Sequence, residues 1–186
     1  MRIRFLIICL VALTSACSEE RTDWHGWPDH PSATLAGKKA RAETARDALA
    51  KSLVTELAAA IGSGGPQAGI QVCNERASII TKGVTQKGLR IGRTSWKLRN
   101  PANKAPAWAQ PFVDAKASKP ILLVDQQERL HALYPILLGD QCIVCHGNEE
   151  QIPYRVKVAL DASYPQDQAR GFSPGDLRGW FWIEVD

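Results

Sequence analysis

The amino-acid sequence predicts an α+β domain: one antiparallel sheet with two N-terminal helices packed near it. Three observations predict it. Apolar residues recur every four positions between 45 and 61, and a second helix-like run follows a Gly/Pro break at 62–66. From residue 89 onward the apolar runs are short, rich in strand-forming residues and separated by turn signals. Helices first and antiparallel strands later belong to the α+β class rather than to alternating α/β folds. At 186 residues, with 45% hydrophobic and 23% charged content, the chain is ordinary for a globular protein and large enough for a single core.

The first segment reads as an address. Arg2 and Arg4 precede the apolar run Phe5-Leu6-Ile7-Ile8-Cys9-Leu10-Val11-Ala12-Leu13, then Thr14-Ser15-Ala16. A basic start, a short apolar stretch and small residues make a signal peptide over residues 1–16. The run is too short for a permanent anchor, which needs about 20 apolar residues. Leu13-Thr14-Ser15-Ala16-Cys17 resembles a bacterial lipobox, in which Cys17 becomes the lipidated first residue; cleavage after Ala16 to give a soluble protein is the alternative. Residues 17–37 then form a lipidated tether, and 38–186 the domain. His25 and His30, among Trp, Gly and Pro residues, read as solvated tether histidines. The formal net charge is +4, and Arg2 and Arg4 carry two of those charges. The remainder is too small to argue for nucleic acid or an anionic surface, so contact with a membrane is expected through the lipid alone.

Residues 38–61 form the first helix, with Ala45, Leu49, Leu53, Leu57 and Ile61 on one stripe, ended by Gly62-Ser63-Gly64-Gly65. Pro66 suits the first turn of a second helix through Ile70, Cys73, Ala77 and Ile80, ending near Gly83. Residues 89–96 read as a strand, and Asn100-Pro101-Ala102-Asn103 as a loop. Residues 121–124 and 130–138 flank Asp125-Gln126-Gln127-Glu128-Arg129 as a hairpin. Residues 154–160 fit strand or helix, and 177–185 read as a final strand.

The chemistry centres on Cys142-Ile143-Val144-Cys145-His146. Two thiols one helical turn apart can form thioethers with the two vinyl groups of a haem, and the following His is then placed on the iron. Export agrees, because covalent haem is assembled in an oxidising compartment. Two plainer readings stand beside it: a thiol–disulfide redox pair with His146 merely adjacent, or part of a zinc site completed by His146 and Cys73. The only methionine is Met1, which leaves with the leader. His/Met ligation is therefore excluded for the mature chain, leaving Cys73, His131, a tether His or an open sixth position. Of five cysteines, Cys9 lies in the leader, Cys17 is the lipid candidate, and Cys142 and Cys145 form the motif. Cys73 is left over, on an apolar helix stripe that would equally suit an inert buried thiol. His131, between Leu130 and Ala132, reads as a surface or satisfied core histidine.

Gly92-Arg93-Thr94-Ser95-Trp96-Lys97-Leu98-Arg99-Asn100-Pro101-Ala102-Asn103-Lys104-Ala105-Pro106-Ala107-Trp108 resembles the signature of a family of single-haem c-type proteins, largely of unknown function. That family occurs as stand-alone exported proteins and as input domains of sensor kinases. Val72-Cys73-Asn74-Glu75, Cys142 to Gly147 and Arg170-Gly171-Phe172-Ser173-Pro174-Gly175-Asp176-Leu177-Arg178-Gly179 resemble its other marks; Ala109 departs from the family's Glu. The resemblance implies a PAS-like fold over 38–186 and one covalent haem c per chain, with His146 and Cys73 as axial ligands. A thiolate ligand would favour ferric iron and lower the potential. Arg93, Arg99 and Arg178 are candidates for pairing propionates or the thiolate, with solvated surface charges as the plain alternative.

Three functions follow as expectations. The first is a periplasmic redox or small-gas sensor, with NO or CO taking a site freed by loss of the Cys–iron bond and a separate protein receiving the signal. The second is a low-potential electron carrier docking to a redox partner. The third is a haem enzyme, peroxidase-like or thiosulfate-oxidising, for which the sequence offers no catalytic constellation.

Overall fold

The computed structural model describes residues 24–186. The expected leader and Cys17 lie outside the described residues. Helix α1 (Ala33–Gln71) opens on Ser32, whose Oγ accepts the Leu35 N–H at 3.2 Å. That cap satisfies one of the otherwise unpaired N–H groups of a first turn. The helix therefore begins upstream of Lys38, within the stretch read as tether. Gly65 breaks it at φ 72°, ψ −174°, a positive-φ conformation that costs glycine little. Pro66 starts the second segment, so the two expected helices meet at the Gly/Pro break. The second segment doubles back on the first, and Arg76 grips Glu56 with two bonds of 2.7 and 2.9 Å. Its end is a single π-helical turn, Val72–Arg76, before α2 (Ala77–Val84).

The sheet has five antiparallel strands: β1 (His25–Gly26), β2 (Leu89–Thr94), β3 (Ile121–Val124), β4 (Leu130–Leu137) and β5 (Leu177–Val185). Their spatial order is β1-β3-β4-β5-β2. The C-terminal strand thus lies between β4 and β2, and β1 adds a two-residue edge from the segment expected to be a tether. The β3–β4 hairpin turns where expected, with Asp125 Oδ1 accepting the Gln127 and Arg129 N–H groups at 3.0 and 2.9 Å. Such Asp-to-backbone bonds stabilise tight turns.

Period-two alternation along β5 sends side chains to both faces. Phe181, Ile183 and Val185 meet Ala42, Ala45 and Leu49 of α1. Trp180 and Trp182 point the other way, against Leu133, Val113 and Trp108. A short helix absent from the expectations, α3 (Gln110–Asp114), helps cover that second face. The ambiguous 154–160 run is helical: α5 (Tyr154–Ser163) sets Val156, Leu160 and Tyr164 against Ile70. Val144 and Cys145 pack on the same cluster, so α5 docks the cysteine motif onto the doubled-back helix. Among the described residues no helix is long and apolar enough to cross a membrane.

Candidate functional site

Asp140–Cys142 forms a 3₁₀ turn that runs directly into α4 (Ile143–His146). The helical spacing places Cys142 and Cys145 on one side of a single turn, with His146 at its end. Gly147 stops the helix by donating to Ile143 O at 2.8 Å. A Cβ here would lie 2.8 Å from that same carbonyl and 2.7 Å from Ile143 Cγ2, so no larger residue fits the approach.

The end of the motif is pinned by residues 167–172. Phe172 N donates to His146 O at 3.0 Å and Gly171 N to Gly147 O at 2.8 Å. His146 Nδ1 lies 2.8 Å from Ala169 O. A carbonyl only accepts, so Nδ1 carries the proton and Nε2 keeps a lone pair. Burial and the nearby Arg99 and Arg178 push the His146 pKa down to about 3, making the ring a neutral base.

His146 and Cys142 line a cavity of about 330 Å³ together with Cys73, Arg93, Arg178 and Tyr164. Cys73 stands on the π-helical turn, where the extra residue per turn changes which way it faces. It is among the residues that line the cavity. Cys73 is itself exposed, but the protein packed around it pushes the thiol pKa up, while Arg93, Arg99 and Arg178 pull it down. Cys145 is likewise pushed up by burial. Cys73, Cys142 and Cys145 are all free thiols. A raised thiol pKa is the opposite of what activates a nucleophilic redox cysteine.

The arginines differ in what they touch. Arg99 is committed to protein acceptors: Asp167 Oδ1 at 3.1 Å, Cys145 O at 2.5 Å and Ala169 O at 3.2 Å. Arg178 Nη1 donates to Ser95 Oγ at 2.8 Å, but its Nε is buried without a partner. Burial and Arg99 push the Arg178 pKa down to about 10. Arg93 makes no ion pair among the described residues, and burial pushes its pKa down as well. Asp167 is taken by Arg99 and Arg170. The cavity is therefore short of negative charge, as a site for an anionic group would be.

Among the described residues no three His, Cys, Asp or Glu converge on a point that could hold a bare metal ion. Donors spread around a cavity, with Arg93 and Arg178 lacking a carboxylate partner among the described residues, suit a large group carrying acidic arms. The other histidines lie elsewhere. His131 is buried on β4, 3.2 Å from Asp125 Oδ2 and edge-on to Trp24 and Trp108. His25 and His30 are exposed. Sequence reasoning missed Asp167, Tyr164 and the Ala169 carbonyl. Only the flanking Arg170-Gly171-Phe172 stretch signalled that segment.

The chain matches the family described as Tll0287-like over residues 33–186. Among solved structures it is similar to one described as the crystal structure of the cyanobacterial heme-protein Tll0287, at a TM-score of 0.57 and 22% identity. That alignment covers 83% of this chain and 96% of the other; at such identity the likeness speaks for the fold. No curated protein matches the chain.

Proposed function

The chain belongs to the Tll0287-like family, and from that premise we propose that it binds haem, held covalently by Cys142 and Cys145. The observation that carries this reading is His146: a neutral imidazole that lines a cavity beside Cys142, its Nδ1 tied to a backbone carbonyl at the end of the two-thiol turn. Metal-ligating histidines are oriented in this way through their other nitrogen. His146 and Cys73 would hold the haem iron, and Arg93 and Arg178 would pair the propionates. Bound there, haem supplies a one-electron iron couple. A solved relative described as a heme-protein supports the cofactor. The strand order supports a PAS-like reading, since the first long strand, β2, lies beside the last.

The role is redox or small-gas sensing in the bacterial periplasm, on a lipid anchor at Cys17. Cys73 favours this over simple electron carriage, because it stands on an irregular helical turn rather than in regular helix. Electron transfer is the second reading, favoured by the ring sequence Trp96, Phe172, His146, with centroids 5.9 and 6.3 Å apart.

The test is an absorption spectrum of protein matured in a haem-assembling periplasm, before and after denaturing extraction. Retained haem in the wild type, lost in Cys142→Ser/Cys145→Ser, is expected; a wild type without retained haem overturns the reading. Cys73→Ser should change the ferric spectrum, and reduction should open a CO site. A reversible couple with no CO binding would favour the carrier.

A further inference from the structure

Arg99 sits in the middle of the motif's supports. Its Nη2 donates to Cys145 O at 2.5 Å, one of the carbonyls left without an intrahelical donor at the end of α4. The same Nη2 lies 3.2 Å from Ala169 O, which is also the acceptor for His146 Nδ1–H at 2.8 Å. Its Nη1 is 3.5 Å from His146 Nε2. Its Nε is held by Asp167 Oδ1 at 3.1 Å, and Asp167 in turn accepts the Ala169 N–H at 2.8 Å. Asp167 is only 2% exposed and Arg99 10%, so water does not compete strongly for these bonds.

We propose that Arg99 is a positioning residue for His146, setting through the shared Ala169 carbonyl how strongly the Nδ1–H is held and so how much electron density Nε2 can give. The inference rests on the reading that Nε2 is a ligand. A carbonyl already polarised by a guanidinium is a poorer acceptor for a second donor. The Nδ1–H bond is therefore weaker than an unshared one, the imidazole has less anionic character, and the iron is easier to reduce. The guanidinium charge acts in the same direction, so the test must separate charge from carbonyl sharing.

Arg99→Lys keeps the charge and loses the planar fork that reaches both carbonyls; Arg99→Gln loses both. In the Cys142→Ser/Cys145→Ser protein, which carries no covalent haem, ¹⁵N and ¹H NMR read the His146 Nδ1–H directly. Both variants should move that proton downfield as the Ala169 carbonyl becomes unshared, the shorter 3.2 Å carbonyl bond outweighing the loss of the 3.5 Å Nη1–Nε2 contact, which acts the other way. In the haem-loaded protein both should shift the midpoint potential negative. Asp167→Asn keeps the Arg99 guanidinium but removes a nearby negative charge and so shifts the potential by itself; should either Arg99 variant fail to fold, the Nδ1–H of Asp167→Asn, moved downfield by less, is the reading used. An unmoved Nδ1–H in the folded variants overturns the proposal, as does an Arg99→Lys potential equal to wild type. A wild type that retains no haem overturns the functional reading instead and leaves the NMR result standing.

Discussion

At His146, burial and two nearby arginines oppose a second positive charge, and the pKa falls to about 3. An unfolded histidine titrates near 6.5. Between those values the unfolded chain holds a proton that the folded chain does not, so folding stability is lost as pH falls through that window. His131 is pushed down by burial and adds the same sign. Asp167 and Asp125, both lowered, extend the loss to more acid pH as they protonate. The Cys142→Ser/Cys145→Ser protein should melt at progressively lower temperature as pH drops below about 6.5; His146→Asn should flatten the upper part of that profile. Arg93 invites the opposite test. It stands on the cavity wall without an acceptor, so Arg93→Met should stabilise the haem-free protein by about 1 kcal/mol. Chemical denaturation would measure that gain, and weaker haem retention should accompany it. At this scale the sequence was informative about residue types: Cys142, Cys73 and the three arginines all line one cavity, with Cys145 packed in the neighbouring Ile70 cluster. It could not distinguish the arginines, because the acceptors that occupy Arg99 lie 46 to 70 positions away.

Among the elements, the π-helical turn Val72–Arg76 is the most specific device. It is closed by the Ala77 N–H on Val72 O, five residues back, so one residue is accommodated beyond the α-helical count. Deleting Asn74 should restore α-helical spacing and turn Cys73 by about 100° relative to α2. The expected result is a folded protein with the ferric spectrum of Cys73→Ser, while denaturing extraction still finds haem on Cys142 and Cys145. No periodicity argument shows such a turn, since five residues are too few to disturb the apolar stripe. The Gly/Pro break was readable because Gly65 and Pro66 act locally. The true start of α1 was hidden by a cap residue, Ser32, set next to Pro31 in what looks like linker. The 154–160 run needed its neighbours to be decided. It is a helix because Val156 and Leu160, four apart, both reach the Ile70 cluster.

Over the whole molecule, period-two patterns indicated strands but not their neighbours. Alternation fixes which face a side chain takes; it says nothing about β5 entering between β4 and β2. The N-terminal edge was the larger surprise. β1 pairs His25 and Gly26 with Val124 and Leu123, and Trp24 lies 4.5 Å from the His131 ring. Deleting residues 1–31 should uncover that edge and cost about 1–2 kcal/mol, from the lost aromatic contacts and cross-strand pairs. Denaturant melts would measure it, and the His146 Nδ1–H resonance should not move, because this end of the sheet is remote from the cavity-lining residues.

The clamp on the cysteine motif also imposes a schedule on how the protein is made. The hydrogen bonds that pin His146 and Gly147 from outside the motif come from residues 99 and 169–172, and the latter lie some two dozen positions beyond the motif. On the proposed covalent attachment, the two thiols and the imidazole would be reached before that segment closes over them. Afterwards Cys142 and Cys145 are half-buried and the turn is tied down. On that reading haem attachment and folding would compete for the same few residues, and a chain that folded first would have closed its own door.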